Sequence, residues 1–263
     1  PPVQSVNVTS SAPQFLCLRS HEGKPFVTKL KGYSRTFFKF FQSNPQKCTY
    51  FRSTLCKTMK RLYLAISTVL TLAVTVTPIG TQALERFTFH MIQHITLLMV
   101  VGSLLVLGTS EEFRAKLNSN LIFRTFSQPW LSFPLYAAMM IGVHLPAVHL
   151  FIMHHSWAHY FIEIPLYLIV PYLFYFNILE ANLTNRRLST AMSVILLWLM
   201  MVPETLTGFF IYISHESAYE YMYEINDQRL GGTIMWSGGM IIDVIWIMLA
   251  VYHWWKSEEL KNV

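Results

Sequence analysis

Six long apolar segments, all after Met59, constrain the fold of this chain more than any other feature. They cover roughly residues 62–79, 84–107, 130–152, 156–179, 188–213 and 231–254. A helix needs about 20 apolar residues to cross the hydrocarbon core of a bilayer. Only 13% of the residues are charged, against about 25% in soluble domains. The sequence therefore predicts an all-α, polytopic transmembrane helix bundle of about six spans.

The first 58 residues differ in composition from the rest of the chain. They contain no Met and carry nine Lys and Arg but a single acid, Glu22. We predict two parts: a polar basic extension over 1–58, disordered or non-native in origin, and a transmembrane helical domain over 59–263. Alternatively, the extension is a basic cytoplasmic arm that contacts anionic membrane lipid. All three cysteines lie in the extension (Cys17, Cys48 and Cys56), which excludes a thiolate site in the apolar part.

The basic residues predict the orientation, because Lys and Arg collect on the cytoplasmic side of membrane proteins. With both termini in the cytoplasm, nine basic residues after Met59 fall inside and two fall outside. The inside residues are Lys60, Arg61, Arg114, Lys116, Arg124, Arg186, Arg187, Lys256 and Lys261, and the outside residues are Arg86 and Arg229. The sequence thus predicts a multi-pass protein of the plasma membrane with both termini cytoplasmic.

Two histidine pairs with i, i+4 spacing lie at the ends of apolar segments. They are His90/His94 in HMIQH and His155/His159 in HSWAH. Residues four apart share one face of a helix, and ionisable residues inside a membrane usually have a functional reason. The predicted orientation places both pairs, together with His144, at the outer face. Since imidazole suits copper and zinc, these five residues are predicted to hold a metal or a redox cofactor.

Three further residues are predicted to support this site. Met235 offers a thioether, a soft ligand that favours Cu(I). Glu163 lies one turn after His159 and is placed to orient its imidazole. Asp227 opens DQRLGG and is a suitable N-cap for the sixth span. Three other histidines are interpreted instead as interfacial structural residues: His149, His154 and His215.

Two more acids, Glu204 and Asp243, fall inside predicted spans. An acid at a helix centre costs about 2.5–3.5 kcal/mol on insertion scales. Two interpretations are open: a path for protons or ions, and a polar contact between helices. Pro203 is expected to kink the helix next to Glu204.

Four motifs together carry a resemblance to a known family: TPIGTQALERFTFHMIQH, HLPAVH, HHSWAH and DQRLGGTIMWSGGMIID. They resemble cytochrome c oxidase assembly factors of the CtaG type, linked to caa3-type oxidases, over about 62–255. The resemblance implies help in oxidase maturation by copper delivery to the CuB centre, with an oxidase subunit or another copper chaperone as partner. Its matching positions are His90, His94, His144, His155, His159 and Asp227; His149 and His154 are additional and would widen the site. Copper binding, as Cu(I), follows from the ligand chemistry and not from the resemblance.

Two alternatives remain open at this stage. One is a histidine-box di-iron membrane oxygenase, since HLFIMHH resembles such a box. In those enzymes the boxes face the cytoplasm, whereas these histidines are predicted outside. The other is an electron-transfer protein with a bis-histidine haem b. No nucleophile–base set or phosphate loop is present, so we predict no enzymatic activity, and no feature indicates a nucleic-acid partner.

Overall fold

The computed structural model describes residues 45–179, 188–220 and 222–261, and all regular structure in these ranges is helical. The α-helices are α1 Pro45–Thr75, α2 Pro78–Gln82, α3 Phe87–Ile95, α4 Gly102–Gly108, α5 Glu111–Ser119, α6 Leu121–Phe126, α7 Pro129–Gly142, α8 Pro146–His154, α9 Ser156–Ala158, α10 Ile164–Leu179, α11 Thr190–Ile213, α12 Ile225–Thr233 and α13 Gly239–Lys261. Three π turns, at Thr96–Val101, His159–Glu163 and Ile234–Gly238, join α3 to α4, α9 to α10 and α12 to α13. The predicted all-α class is confirmed.

Four helical stretches in the described ranges are long and apolar enough to cross a membrane. They are Phe87–Gly108, Ser156–Leu179, Ala191–Ile213 and Ile225–Tyr252, and each matches a predicted segment. Helices α7 and α8 pass the same test together but are bent by 73°. If this pair, which matches predicted segment 130–152, forms one span, the number is five.

The bend between α7 and α8 has a local cause. Leu145 is extended, with φ −62° and ψ 130°, and Pro146 begins α8. A residue before proline is disfavoured in the α conformation because the proline ring clashes with its backbone. The chain therefore leaves α7 and restarts a helix in a new direction, with His144 at the corner.

The first predicted segment, 62–79, is not among these candidate spans. The described residues therefore hold four or five candidate spans, whereas the sequence predicts six. The apolar helix of this first segment runs only from Leu62 to Thr75, where α1 ends, which is shorter than the roughly 20 residues needed. Thr77 then caps α2, whose first residue is a proline. The predicted boundary after residue 58 falls inside α1, and residues 1–44 of the extension lie outside the described residues.

The span Phe87–Gly108 is the centre of the bundle. About two thirds of it, 67%, is buried, against 17% of Ile225–Tyr252. It packs against α1, α10 and α12, and the side chains that it buries are largely apolar: Phe87, Met91, Leu97, Leu98 and Met99. Polar residues on this span therefore lie inside the protein and not against lipid.

Helices α11 and α12 cross with their backbones in direct contact at Gly208 and Gly232. A Cβ added to Gly232 would lie 2.8 Å from the backbone nitrogen of Tyr212. A Cβ added to Gly208 would lie 2.7 Å from the backbone nitrogen of Trp236. Only glycine permits such an approach, which is common where membrane helices pack.

Candidate metal centre

Five histidines come together in the interior of the bundle: His90, His94, His144, His149 and His159. Four have fully buried side chains, and His144 is 6% exposed. The ring centroid of His90 lies 5.0 Å from that of His149 and 6.0 Å from that of His159. The centroids of His94 and His144 are 4.9 Å apart. The predicted convergence of histidines from distant segments thus occurs in the fold, but in a buried cluster.

One carboxylate, Glu163, completes this histidine cluster. The ligand atoms of His90, His159 and Glu163 all lie within 4.8 Å of one another. His159 Nδ1 donates to Glu163 Oε2 at 2.6 Å, and the Tyr167 hydroxyl donates to Oε1 at 2.6 Å. His90 Nε2 lies 3.7 Å from Oε1. This group is the arrangement in the described residues that is best placed to hold a metal ion.

Two imidazoles are oriented with one nitrogen free. The Nδ1 atoms of His144 and His159 donate to the Met140 carbonyl, at 2.6 Å, and to Glu163. A neutral imidazole that donates from Nδ1 has a lone pair on Nε2. Both Nε2 atoms are buried and without a hydrogen-bond partner in the described part of the chain. Histidines that bind metals are usually held by such a second hydrogen bond.

The ring nitrogens of His90 and His94 also indicate a metal site. Neither ring nitrogen of His90 or His94 has a hydrogen-bond partner among the described residues, although both rings are buried. A buried polar group without a partner costs about 1–3 kcal/mol. An ion that accepted several of these lone pairs at once would remove much of this penalty. The donor set therefore fits a metal that imidazole and carboxylate can bind.

His155, the fifth predicted histidine ligand, does not join the cluster. Its side chain is exposed, and its Nδ1 donates to the Phe151 carbonyl at 2.8 Å. The HxxxH spacing fails here because α9 begins at Ser156 and His155, with φ −121° and ψ 89°, precedes it. Met235, the predicted thioether ligand, is fully buried in the π turn Ile234–Gly238, which packs against α3.

His149 is the residue that sequence reasoning undervalued. The sequence favours an interfacial position for His149, but its side chain is fully buried beside His90. Its Nε2 lies 3.0 Å from the Tyr223 hydroxyl. The signal was present in HLPAVH, where the proline turns the chain so that both histidines of the motif enter the cluster.

Two tyrosines from the loop 214–224 cover one side of the cluster. The Tyr219 ring lies 4.3 Å from that of His149, and its hydroxyl donates to the His144 carbonyl at 3.3 Å. Burial raises the pKa of Tyr219 and of Tyr223, so both remain neutral hydroxyls at physiological pH. The loop therefore closes the cluster with neutral aromatic groups.

Asp227 caps a different helix from the one predicted. The N-cap of its own helix, α12, is Glu224. Instead, the Phe87 amide donates to Asp227 Oδ2 and the Thr88 hydroxyl to Oδ1, both at 2.6 Å. Helix α3 has no side-chain cap of its own. A carboxylate at a helix N-terminus satisfies free amides and the helix dipole, so Asp227 fixes the helix that carries His90 and His94.

Replacing Asp227 with alanine is expected to lower the free energy of unfolding by about 0.5–2 kcal/mol, the usual effect of losing a cap. Asparagine retains one acceptor oxygen, so Asp227→Asn should lose less. Thermal unfolding of the purified protein in detergent measures both changes. An alanine variant as stable as the wild type would show that this cap does not stabilise α3.

Comparison with known proteins gives the family. A family model described as cytochrome c oxidase caa3 assembly factor matches residues 52–257. An uncharacterized protein of Mycobacterium bovis is 27% identical over 205 residues, which cover 66% of this chain and 31% of that protein. An uncharacterized protein of Mycobacterium leprae is 23% identical over 210 residues, covering 69% and 32%.

The chain thus spans about a third of the length of these curated relatives. No solved structure matches it. The family match nevertheless covers most of the chain and all of the histidine cluster, and it confirms the resemblance noted in the sequence. This multi-pass membrane protein belongs to the cytochrome c oxidase caa3 assembly factor family.

Proposed function

We propose that this protein binds copper in the histidine cluster and helps deliver it to the CuB centre of cytochrome c oxidase. The observation that carries the proposal is the set of buried imidazole nitrogens without hydrogen-bond partners around Glu163. Copper is here the cargo. In this proposal the protein is an assembly factor and not an enzyme, and an oxidase subunit or another copper chaperone takes the ion by ligand exchange.

Charge balance favours Cu(I) over a divalent ion. The cluster combines neutral imidazoles with one carboxylate, Glu163. A monovalent ion makes this set neutral, whereas a divalent ion leaves one positive charge, which is expensive to bury in an apolar bundle. Imidazole is also a good ligand for copper. These arguments support Cu(I) as the species held.

The proposed ligands fall into an inner and an outer set. His90, His159 and Glu163 hold the ion, and His94 and His144 lie next to them to receive it. His155 is proposed as a first ligand at the surface, because its Nδ1 is engaged and its ring is exposed. Met235 stays a proposed thioether ligand, because its π turn packs against α3.

We also propose that the site faces outward from the plasma membrane, with both termini in the cytoplasm. The distribution of Lys and Arg supports this orientation. Termini on the same side require an even number of crossings, so in this proposal α1 is a sixth crossing in spite of its short apolar part. Helix α1 packs along α4 and the preceding π turn, which supports this role. At the end assigned to the cytoplasm, Lys60 Nζ lies 3.7 Å from Glu111 Oε1.

Anaerobic Cu(I) titration of the purified chain against a coloured Cu(I) chelator tests the proposal. We expect His90→Ala and His159→Ala to weaken binding by about 10- to 100-fold or more, since even a hydrogen-bond partner of a ligand has an effect of that size. His215→Ala removes an exposed histidine of the outer loop and is the matched control. Unchanged copper binding in both cluster variants would reject the site. Iron in the native protein would favour the di-iron oxygenase, and a haem Soret band would favour the haem b electron-transfer protein.

A further inference from the structure

A second buried polar cluster lies apart from the histidines. It consists of Tyr136 on α7, Tyr175 on α10, Glu204 on α11 and Asp243 on α13, and no side chain in it is more than 1% exposed. Tyr136 lies six residues, or about 9 Å, before the end of α7 that leads to His144, and Tyr175 lies eleven residues, or about 17 Å, after the start of α10, which follows Glu163, at about 1.5 Å per residue. The acidic cluster therefore lies at another depth in the bundle and belongs to no part of the proposed copper site.

The polar atoms of this acidic cluster are unpartnered. All four carboxylate oxygens and both tyrosine hydroxyls lack a hydrogen-bond partner in the described ranges. The Glu204 carboxyl lies beside Gly239, one helical turn before Asp243 on α13, and a Cβ on Gly239 would clash with Glu204 Oε1. The ring centroid of Tyr175 lies 6.2 Å from that of Trp246, three residues after Asp243. The ring centroid of Tyr136 lies 5.2 Å from that of Phe174, the neighbour of Tyr175. These contacts bring the four groups into one region, where α7 packs against α10 and α11, and α11 packs against α13.

Neither acid takes part in any of the salt bridges found in the described residues. An ionised carboxylate buried without a partner is strongly unfavourable, so both acids must be neutralised by protons or by a cation. Protonated acids would be expected to hydrogen-bond to each other or to the tyrosines, and none of these bonds forms. A cation, in contrast, needs several oxygens that approach one point without bonding to one another.

The chemistry of the donors selects the class of ion. The acidic cluster offers only oxygen atoms, which suit hard cations such as Mg²⁺, Ca²⁺ and Mn²⁺. Two carboxylates balance the charge of a divalent ion. Gly239 begins α13 and leaves room for the Glu204 carboxyl, which a Cβ at this position would displace. Pro203 frees a carbonyl of α11. We propose that Glu204 and Asp243, with Tyr136 and Tyr175, bind a hard divalent cation that ties α7, α10, α11 and α13 together.

Mn²⁺ binding to the purified full chain in detergent, followed by electron paramagnetic resonance, tests this proposal. We expect Glu204→Gln and Asp243→Asn to weaken binding at one site by about 10- to 100-fold or more. Glu163→Gln reports separately on any Mn²⁺ in the histidine cluster, and Glu216→Gln removes an exposed carboxylate as a control. Both controls should retain the Mn²⁺ site, and Mn²⁺ should raise the Tm of the wild type but not of the two acidic-cluster variants.

Equal Mn²⁺ affinity in wild type, Glu204→Gln and Asp243→Asn overturns the proposal. The absence of Mn²⁺ binding to the wild type, with an infrared carboxylic-acid band that disappears in Glu204→Gln, also overturns it and identifies a protonated pair. If both acid variants fail to fold, Tyr136→Phe and Tyr175→Phe decide the question. Weaker Mn²⁺ binding in either tyrosine variant supports the proposal, and unchanged binding in both rejects it. Since Cu(I) titration addresses other residues, failure of either site leaves the other standing.

Discussion

Replacing Glu163 with alanine is expected to lower the affinity of the histidine cluster for Cu(I) by about 100-fold, the upper part of the range for groups that orient metal ligands. Glu163 accepts hydrogen bonds from His159 and from Tyr167 and supplies the negative charge of the cluster. Alanine removes all three effects. His159 then loses the partner that holds its tautomer and directs its Nε2. Anaerobic Cu(I) titration measures the change.

Two variants separate these contributions. Glu163→Gln keeps an oxygen that can accept from His159 but removes the charge, so about a tenfold loss is expected. Tyr167→Phe removes one hydrogen bond to the carboxylate and leaves the contact with His159, so it should have the smallest effect. If the Glu163→Ala variant binds Cu(I) as tightly as the wild type, Glu163 neither binds the ion nor orients its ligands.

The second large effect is expected at the crossing of α11 and α12. Gly232→Val and Gly208→Val should each lower the free energy of unfolding by about 3 kcal/mol or more, at or above the top of the usual range for overpacking. The atoms that a new side chain would meet are backbone atoms, which cannot move aside as a flexible side chain can: Tyr212 N and the Gly208 oxygen at Gly232, and Trp236 N and the Gly232 oxygen at Gly208. Displacing α12 would also remove Asp227 from the start of α3.

Thermal unfolding in detergent measures this effect, and a fall in Tm of roughly 6–12 °C is expected for a domain of this size. Gly142→Ala is the matched control. A Cβ at Gly142 would meet no other atom within 4 Å, so alanine there should be neutral or slightly stabilising. Wild-type stability in both valine variants would show that α11 and α12 can separate without a loss of stability.

The apolar segments predicted most of the fold because burial in lipid requires long, continuous helices. Four of the segments match candidate spans closely. The bend between α7 and α8 was not foreseen, although Pro146 is a visible signal for it. The first segment is not among the candidate spans because its hydropathy continues past Thr75, whereas helix α1 ends there.

The site was only partly accessible from sequence. His90 and His94 could be paired because they lie on one regular helix, and the contact between Glu163 and His159 follows from their spacing. His155 was included because HxxxH does not reveal where a helix begins. The true partner of Asp227, the start of α3, is 140 residues away along the chain. Such a contact depends on tertiary packing, which no local pattern reports.

The three π turns have a consequence for how this chain can change over evolution. Each holds one residue more than a regular α-helical turn, and deleting that residue would let the helix run on as an uninterrupted α-helix. The shortened turn would still complete about one full rotation, so the helix beyond it would keep nearly the same face towards its neighbours. A deletion inside a regular helix such as α3, in contrast, rotates everything beyond it by about 100° around the helix axis, which would separate the faces that carry His90 and His94. Single-residue deletions should therefore be tolerated better in the three π turns than in the regular helices, except where the π turn itself holds a residue of the histidine cluster, as His159–Glu163 does.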